Sequence, residues 1–520
     1  MTARTDLFPS VSTFYLVGLF DLWTGVRTLL ISASGAYLIA AYVQGPFMPW
    51  IGFVFLMGHM SLNHIIRQSI NNPGLVDITG AQMVMVMKLT GFCWNIQDGR
   101  LSDKDLTDAQ KEKAIKELPS LLNYAGYVLF FPSLMAGPAF DYVEYKRWIE
   151  TTMFELPAGV DPSKRAPTKK KRKIPRSGTP AAWKAATGLL WILVFLKASS
   201  WYYPEMLTDD TFMTHGFLKR VWLLHMVGFT TRTKYYGVWY LTEGACILSG
   251  LGYNGVNPIT GKVSWDRLRN VNPWGVESAQ NTRAYLGNWN INTNNWLRNY
   301  MYLRVTPRGK KPGFRASMAT FVTSAFWHGF YPGYYLAFVL ASFVQTIARS
   351  KTLLNMFCCH LLCLMVFSDF RRYVRPFVLD PATQTPNSYK IYYDIFSYLA
   401  TQAGFSFVVA PFYLLTLPAS LLVWGRVYFY AVVGTTTTTA FFYSPAKNYL
   451  VKTLKARTGA ELKRTHSQES LTGKEPLMGI PPDIGELDEA VREVRMEIEE
   501  RKKRGVHRSE TMPNTPAKPM

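Results

Sequence analysis

Acid is scarce in this sequence. Thirty-five Asp and Glu stand against 57 Lys and Arg, a net charge of +22 over 520 residues. Such an excess fits a nucleic-acid binder or the cytoplasmic loops of a membrane protein. Here the basic residues lie between apolar segments, which favours the loops. Cysteine is scarce too. The five, Cys93, Cys246, Cys358, Cys359 and Cys363, all lie in apolar surroundings, and an odd count in a long chain indicates no disulfide framework. There is no Asn-x-Ser/Thr sequon. The N-terminus lacks a short apolar region followed by a small-residue cleavage site, so no cleaved signal peptide is expected. The last residues, Ala-Lys-Pro-Met, are not a KDEL-type address. A Gly-x-x-x-x-Gly-Lys-Ser/Thr phosphate loop and a Gly-x-Ser-x-Gly nucleophile elbow are both missing. So is a His-x4-Asp base-and-orienter pair, a spacing that His64, His215 and His360 each fail.

Aromatic and apolar runs are what the chain has in quantity. Aromatics make up 15%, including 15 Trp and 29 Tyr, residues that favour the bilayer interface. The mean hydropathy of 0.00 hides their bunching. A membrane helix needs ~20 largely apolar residues. Candidates are Val26–Val43, Phe47–Ile65, a short Met-rich Ala81–Trp94 interrupted by Lys88, Leu121–Pro138, Ala181–Tyr203 and Leu218–Tyr253, the last long enough for a bent pair. Leu101–Glu117 is charged and reads as a helix outside the membrane. Asn290–Leu303 reads as a re-entrant or tilted element. Ala316–Ile347 makes two spans or one broken at Pro332-Gly333, since proline removes a helical donor. Leu353–Phe367 has basic residues at both ends and does not cross completely. Tyr389–Leu417 and Leu421–Phe442 complete the set. These place a membrane domain at residues 1–446. A polar loop at about 141–180 carries eleven basic and three acidic residues between Lys146 and Lys184, centred on Lys169–Lys173; between spans this marks a cytoplasmic loop. The tail, residues 447–520, is rich in Lys, Glu, Ser and Pro and reads as cytoplasmic and mostly disordered. Within it Leu487, Val491, Val494 and Ile498 repeat at helical spacing, an amphipathic helix near 484–503. Ser467, three residues after Arg464, is a candidate phosphorylation site against an incidental match.

Four constellations could carry chemistry. His328 follows an apolar run, Ala316 to Trp327, whose only polar side chains are Thr and Ser. The last charge before it is Arg315, so His328 lies ~20 Å into a ~30 Å core. It is either a histidine satisfied within a helix bundle or a functional group, because ionisable residues inside the membrane are costly; its titration near neutrality suits a general base. Asn288, Asn290, Asn292, Asn294 and Asn295 are framed by Trp289 and Trp296. They form a capped loop or a set of amides that hold a histidine tautomer or stabilise an oxyanion. The cations Arg298, Arg304, Arg308, Lys310, Lys311 and Arg315 make a positive-inside loop or a dock for phosphates. Cys358-Cys359-His360-x-x-Cys363 has metal-like spacing, but no second ligand group lies nearby and free Cys packs as a small hydrophobe, so no metal is expected.

These residues also carry a resemblance. Trp327-His328-Gly329-x3-Gly333-Tyr334-x3-Phe338 resembles the His motif of the lysophospholipid branch of the membrane-bound O-acyltransferase (MBOAT) family. Trp289-Asn290-Ile291-Asn292-Thr293-x2-Trp296 resembles its Asn motif, and Trp265-Asp266 a third. Gly137-Pro138 and the Met-Lys-Leu around Lys88 also fit. The similarity extends from about Phe14 to Tyr443. It implies an all-α, polytopic membrane bundle of about eleven helices, some re-entrant or tilted, around a catalytic chamber in the endoplasmic reticulum. It implies transfer of a long acyl chain from acyl-CoA, as co-substrate and without a cofactor, to a lysophospholipid hydroxyl. His328 matches the catalytic histidine and Asn290 the second active-site residue. Trp265, Asp266, Asn294, Trp327, Tyr334, Arg298, Arg304, Arg308 and Lys310 become candidate substrate contacts. Gly329 follows the histidine where the sterol- and diacylglycerol-acylating branch has Glu. Two alternatives remain: an acyltransferase acting on such a neutral lipid, and a lipid transporter using His328 as a proton relay.

Overall fold

The computed structural model describes residues 7–72, 77–155, 174–257, 262–306, 313–347, 375–380, 385–445, 448–449 and 452–453. Arg308, Lys310, Lys169–Lys173, the Cys358–Cys363 cluster, Leu353–Phe367, Ser467 and the 484–503 segment lie outside these residues. Within them the chain is helical. The extended pairings are two isolated bridges, Val256 with Val263 and Leu379 with Pro386.

The first half holds α1 (Leu7–Thr13), α2 (Trp23–Tyr42), α3 (Met48–Ile70), α4 (Thr79–Gly99), α5 (Asp108–Lys113), α6 (Leu121–Val128), α7 (Tyr142–Ile149), α8 (Gly178–Ser199) and α9 (Phe217–Ser249). The second holds α10 (Pro273–Glu277), α11 (Thr282–Asn288), α12 (Ile291–Leu297), α13 (Phe314–His328), α14 (Pro332–Ile347), α15 (Lys390–Leu414), α16 (Leu417–Arg426) and α17 (Tyr430–Tyr443). Three of these, α2, α8 and α15, are long and apolar enough to cross a membrane. On α8, Leu189, Leu190, Leu193 and Leu196 are exposed. A leucine face turned outward along a 22-residue helix is placed for lipid rather than water.

Several spans differ from the sequence reading. Leu218–Tyr253 is one helix of 33 residues, not a bent pair. Nothing in it breaks the backbone ladder until Gly250, whose φ of +94° closes it. The short Ala81–Trp94 segment extends to 21 residues, because Lys88 is accommodated: its Nζ donates to the Tyr127 carbonyl at 2.6 Å and sits 4.4 Å from the Tyr127 and Phe140 ring centres. Leu121–Pro138 is not a span. Its helix ends at Val128, and Pro132 follows in a single 3₁₀ turn. Leu101–Glu117 reduces to the six-residue α5, fixed by a Thr107–Gln110 capping box. Leu421–Phe442 divides into α16 and α17 at Tyr428 and Phe429, both at positive φ.

The largest core cluster joins α2, α3, α4, α6 and α7 to Trp296, Leu297, Tyr300, Phe321 and Trp327. One end of it is polar. Asp141 at the start of α7 accepts from Tyr300 Oη at 2.6 Å and from Asn95 at 3.3 Å, and pairs with Lys113 at 2.9 Å. Trp148 of α7 donates to the Ser249 carbonyl at 3.0 Å. Short α7 thus ties the C-terminal ends of α4 and α9 to one face of the molecule.

Candidate active site

The Asn motif is set by its backbone before its side chains act. Asn270, itself buried, accepts the Ile291 amide on its carbonyl at 2.8 Å and the Asn292 amide on its Oδ1 at 3.0 Å. That fixes the chain just past Asn290, which precedes α12 at φ +44°, ψ +53°. Asn is among the few L-residues that take this left-handed conformation readily. Asn294 closes the turn. Its Nδ2 donates to the Leu286 carbonyl at 2.9 Å and the Trp289 carbonyl at 2.8 Å. Both donors are spent on backbone, so Asn294 braces the motif. No described group hydrogen-bonds to the Asn290 amide.

The His motif is built the same way. α13 ends on His328, and Gly329 reverses the chain at φ +115°. α14 begins at Pro332, so this proline opens a helix rather than breaking one. Trp327 Nε1 donates to the Met83 carbonyl at 3.0 Å, and the Trp327 carbonyl lies 3.1 Å from His64 Nε2. Its ring meets Trp296, whose Nε1 donates to Thr90 Oγ1 at 2.8 Å. The turn carrying His328 is therefore pinned to α3 and α4.

Rings hold the imidazole. Phe338 lies parallel at 5.2 Å, Phe412 edge-on at 4.8 Å, Trp327 at 4.7 Å and Tyr334 at 5.6 Å. Among the described residues none hydrogen-bonds to the ring, and none is a carboxylate orienter. Among the described residues the Asn290 side chain makes no hydrogen bond to this imidazole, and both face the same space.

His328 and Asn290 line one cavity of about 810 Å³, as do Asn294, Trp327 and Tyr334. Its walls come from α3, α4, α9, the Asn motif, α13, α14 and α15. A volume of this size holds a drug-sized or larger ligand. Five of the residues singled out in the sequence are thus brought together.

Others are placed elsewhere. Trp265 packs on Tyr253 at 5.9 Å. Asp266 accepts from Ser264 and, at 3.0 Å, from Asn254, and pairs with Arg269 at 3.5 Å. Burial alone would raise its pKa; the Ser264 and Asn254 hydrogen bonds and the Arg269 charge outweigh burial and hold it below the usual range. Asp266 closes its own loop, and neither residue lines the cavity. Arg298 and Arg304 also lie outside the lining. Arg304 forms a two-pronged pair with Asp98, Nη1 to Oδ1 at 2.7 Å, and lies 4.4 Å from the Trp94 ring. No acid interrupts the basic turn in sequence, yet α4 brings one to it.

The cavity also contains residues the sequence reading passed over. Arg67, Arg232, Lys234, Tyr235 and His64 all line it. Arg232 and Lys234 sit inside what was read as an apolar span. Two cations in mid-segment are the signal that could have found them.

Comparison with known proteins agrees with this geometry. The family model described as "MBOAT, membrane-bound O-acyltransferase family" matches residues 69–354. A Saccharomyces cerevisiae protein named lysophospholipid acyltransferase is 40% identical over 481 residues, covering 90% of this chain and 75% of that protein. A Schizosaccharomyces pombe protein of the same name is 40% identical over 459 residues, covering 88% and 84%. The mouse membrane-bound glycerophospholipid O-acyltransferase 1 is 30% identical over 434 residues, covering 82% and 80%. With the Asn and His motifs lining one cavity in an all-helical fold, this chain belongs to the membrane-bound O-acyltransferase family.

Proposed function

We propose that this membrane protein transfers a long acyl chain from acyl-CoA to the free hydroxyl of a lysophospholipid. The observation that carries the reading is the shared cavity of His328 and Asn290, each presenting a side chain to which no described protein group hydrogen-bonds. A base and an amide donor left unpaired in one water-excluding chamber suit acyl transfer between two bound substrates. The names of the yeast and mouse relatives supply the acceptor class.

The chemistry follows from those two groups. The imidazole of His328 takes the acceptor hydroxyl's proton as its oxygen bonds to the thioester carbonyl carbon. The carbonyl oxygen gains the negative charge, and the Asn290 amide donates to it. Collapse of this adduct breaks the carbon–sulfur bond, and the departing thiolate recovers the proton from the imidazolium. The products are a diacyl phospholipid and free CoA. No cofactor enters this sequence, and no acyl-enzyme is needed. The aromatic walls exclude water that would otherwise hydrolyse the thioester. The loop at 141–180 and the tail lie on the cytoplasmic side of the endoplasmic reticulum membrane, and CoA approaches from there.

The test uses membranes from cells expressing the chain, given labelled acyl-CoA and a panel of lysophospholipids. At least one should be acylated, and His328→Ala should abolish the product. Asn290→Ala should lower kcat by roughly 10²–10³, the effect of losing one oxyanion donor. No acylated lysophospholipid, or full activity in His328→Ala, refutes the assignment.

A further inference from the structure

The described lining of the chamber contains three cations, Arg67, Arg232 and Lys234, and no Asp or Glu. Two are neutralised from outside it. Arg232 forms a two-pronged pair with Glu277, both bonds 2.7 Å, and Arg67 pairs with Asp77 at 3.3 Å. Lys234 has no carboxylate partner among the described residues. Its ammonium lies 5.3 Å from the centre of the Tyr235 ring and 5.8 Å from that of Phe195. A lysine in the middle of a 33-residue helix, facing a cavity and lacking a counter-charge, is expensive to keep inside a membrane. An anionic ligand group would relieve that cost.

The depth of Lys234 selects which anion. Lys234 lies 15 residues before Ser249, about 22 Å from the α9 end that α7 ties to α4. His328 lies 14 residues after Phe314, about 21 Å from the start of α13. Trp327, next to His328, donates to the Met83 carbonyl, and Met83 lies 15 residues, about 22 Å, before Asp98 at that same end of α4. Lys234 and His328 are therefore at one level. Two substrates of the proposed reaction carry phosphate. An acyl-CoA with its thioester at His328 keeps its phosphates a whole pantetheine arm away, back toward the Arg304 end. A lysophospholipid with its free hydroxyl at His328 has its phosphate within a short glycerol arm, at the reacting level.

We propose that Lys234 binds the phosphate of the acceptor lipid inside the chamber, and so selects phosphate-bearing acceptors over neutral ones. The inference rests on the acyltransferase reading above and assigns the acceptor's phosphate a residue. Lys234 donates to a phosphate oxygen while His328 faces the hydroxyl. Because Arg67 and Arg232 are already paired, Lys234 supplies the uncompensated charge.

The experiment measures KM for lysophosphatidylcholine and, separately, for acyl-CoA in membranes carrying wild type, Lys234→Gln or Lys234→Arg. KM does not depend on the amount of folded enzyme, so partial misfolding of a variant does not mimic the effect. Lys234→Gln should raise KM for the lysophospholipid about tenfold or more, the loss of one charge-assisted hydrogen bond. KM for acyl-CoA should stay at the wild-type value, and Lys234→Arg should recover most of the change. A monoacylglycerol, which has no phosphate, should be a poor acceptor for wild type and no poorer for Lys234→Gln. An unchanged lysophospholipid KM overturns the inference, and so does any rise in KM for acyl-CoA. If wild type itself acylates no lysophospholipid, the functional reading has failed; if it does and Lys234→Gln matches it, only this inference has.

Discussion

His328 is positioned by rings and by the turn beneath it, and Gly329 makes that turn. Its φ of +115° with ψ of −161° lies in a region essentially restricted to glycine. A Cβ there would also stand 3.0 Å from His64 Nδ1. Both constraints act one bond from the base. Gly329→Ala should therefore cost about 1–3 kcal/mol in backbone strain. It should also lower kcat by about a hundredfold, as expected for a small misplacement of a catalytic group. Turnover in membranes checks the rate, and a melting curve in detergent checks the stability. A wild-type rate would mean that the turn does not set the imidazole. At this scale much was legible. His328 stands out by its place after an uncharged run, and Asn290 by the family motif it matches. Lys234 escapes a reading by hydropathy, because it and Arg232 sit within a long run that is apolar on average. Trp265 and Asp266 carry only the resemblance to a third family motif, and the loop that holds them turns back on its own Ser264 and Asn254 rather than lining the chamber.

Among the elements, the pairing of α4 with the turn before α13 shows what local reading omits. Asp98 is 1% exposed at its side chain and Arg304 is 12% exposed. In sequence Arg304 belongs to a positive-inside loop or to a phosphate dock, because no acid is near it in the chain. The acid arrives across 206 residues of sequence. Element lengths were misread for a similar reason. Apolar runs predict where a span is possible, while caps, glycines and prolines decide where it stops. Gly250 lets α9 run to 33 residues, and Pro132 lies just past the end of α6. The Asp98–Arg304 pair should be structural. Removing one partner leaves a buried charge unmatched, at a cost of about 3–5 kcal/mol. Asp98→Ala should lower the melting temperature sharply, and adding Arg304→Met should restore most of it, since the double variant buries no lone charge. KM for acyl-CoA in the double variant should stay near wild type. If it rises instead, Arg304 serves the co-substrate and not the fold.

At the scale of the molecule, the antiparallel pair α3 and α4 fixes which face is which. α4 is 21 residues long, about 31 Å, close to the hydrocarbon thickness of a bilayer. The turn after α3, at Asn71, and the segment after α4, at Lys104, should then lie on opposite sides of the membrane. The helical membrane class was readable from run lengths, and the existence of a chamber from the family resemblance that the Asn and His motifs carry. Which residues share that chamber was not, because it depends on how non-neighbouring helices align. The Arg304 face holds the ends of α4 and α9 and the start of α13, and the basic loop joins α7 to α8 there. It should be cytoplasmic by the positive-inside rule. The face at Asn71 carries the polar rim of the cavity, with Arg67, Gln68 and Asn72 beside it. Both Asn71 and Lys104 are exposed and Cys93 and Cys246 are buried, so the labelling is read in a background with Cys358, Cys359 and Cys363 replaced by Ser. In sealed microsomes with the cytoplasmic face outward, a membrane-impermeant maleimide should label Lys104→Cys at once. Asn71→Cys should label only after the membrane is permeabilised. If both react before permeabilisation, α4 does not cross, and the depths assigned to His328 and Lys234 lose their reference plane.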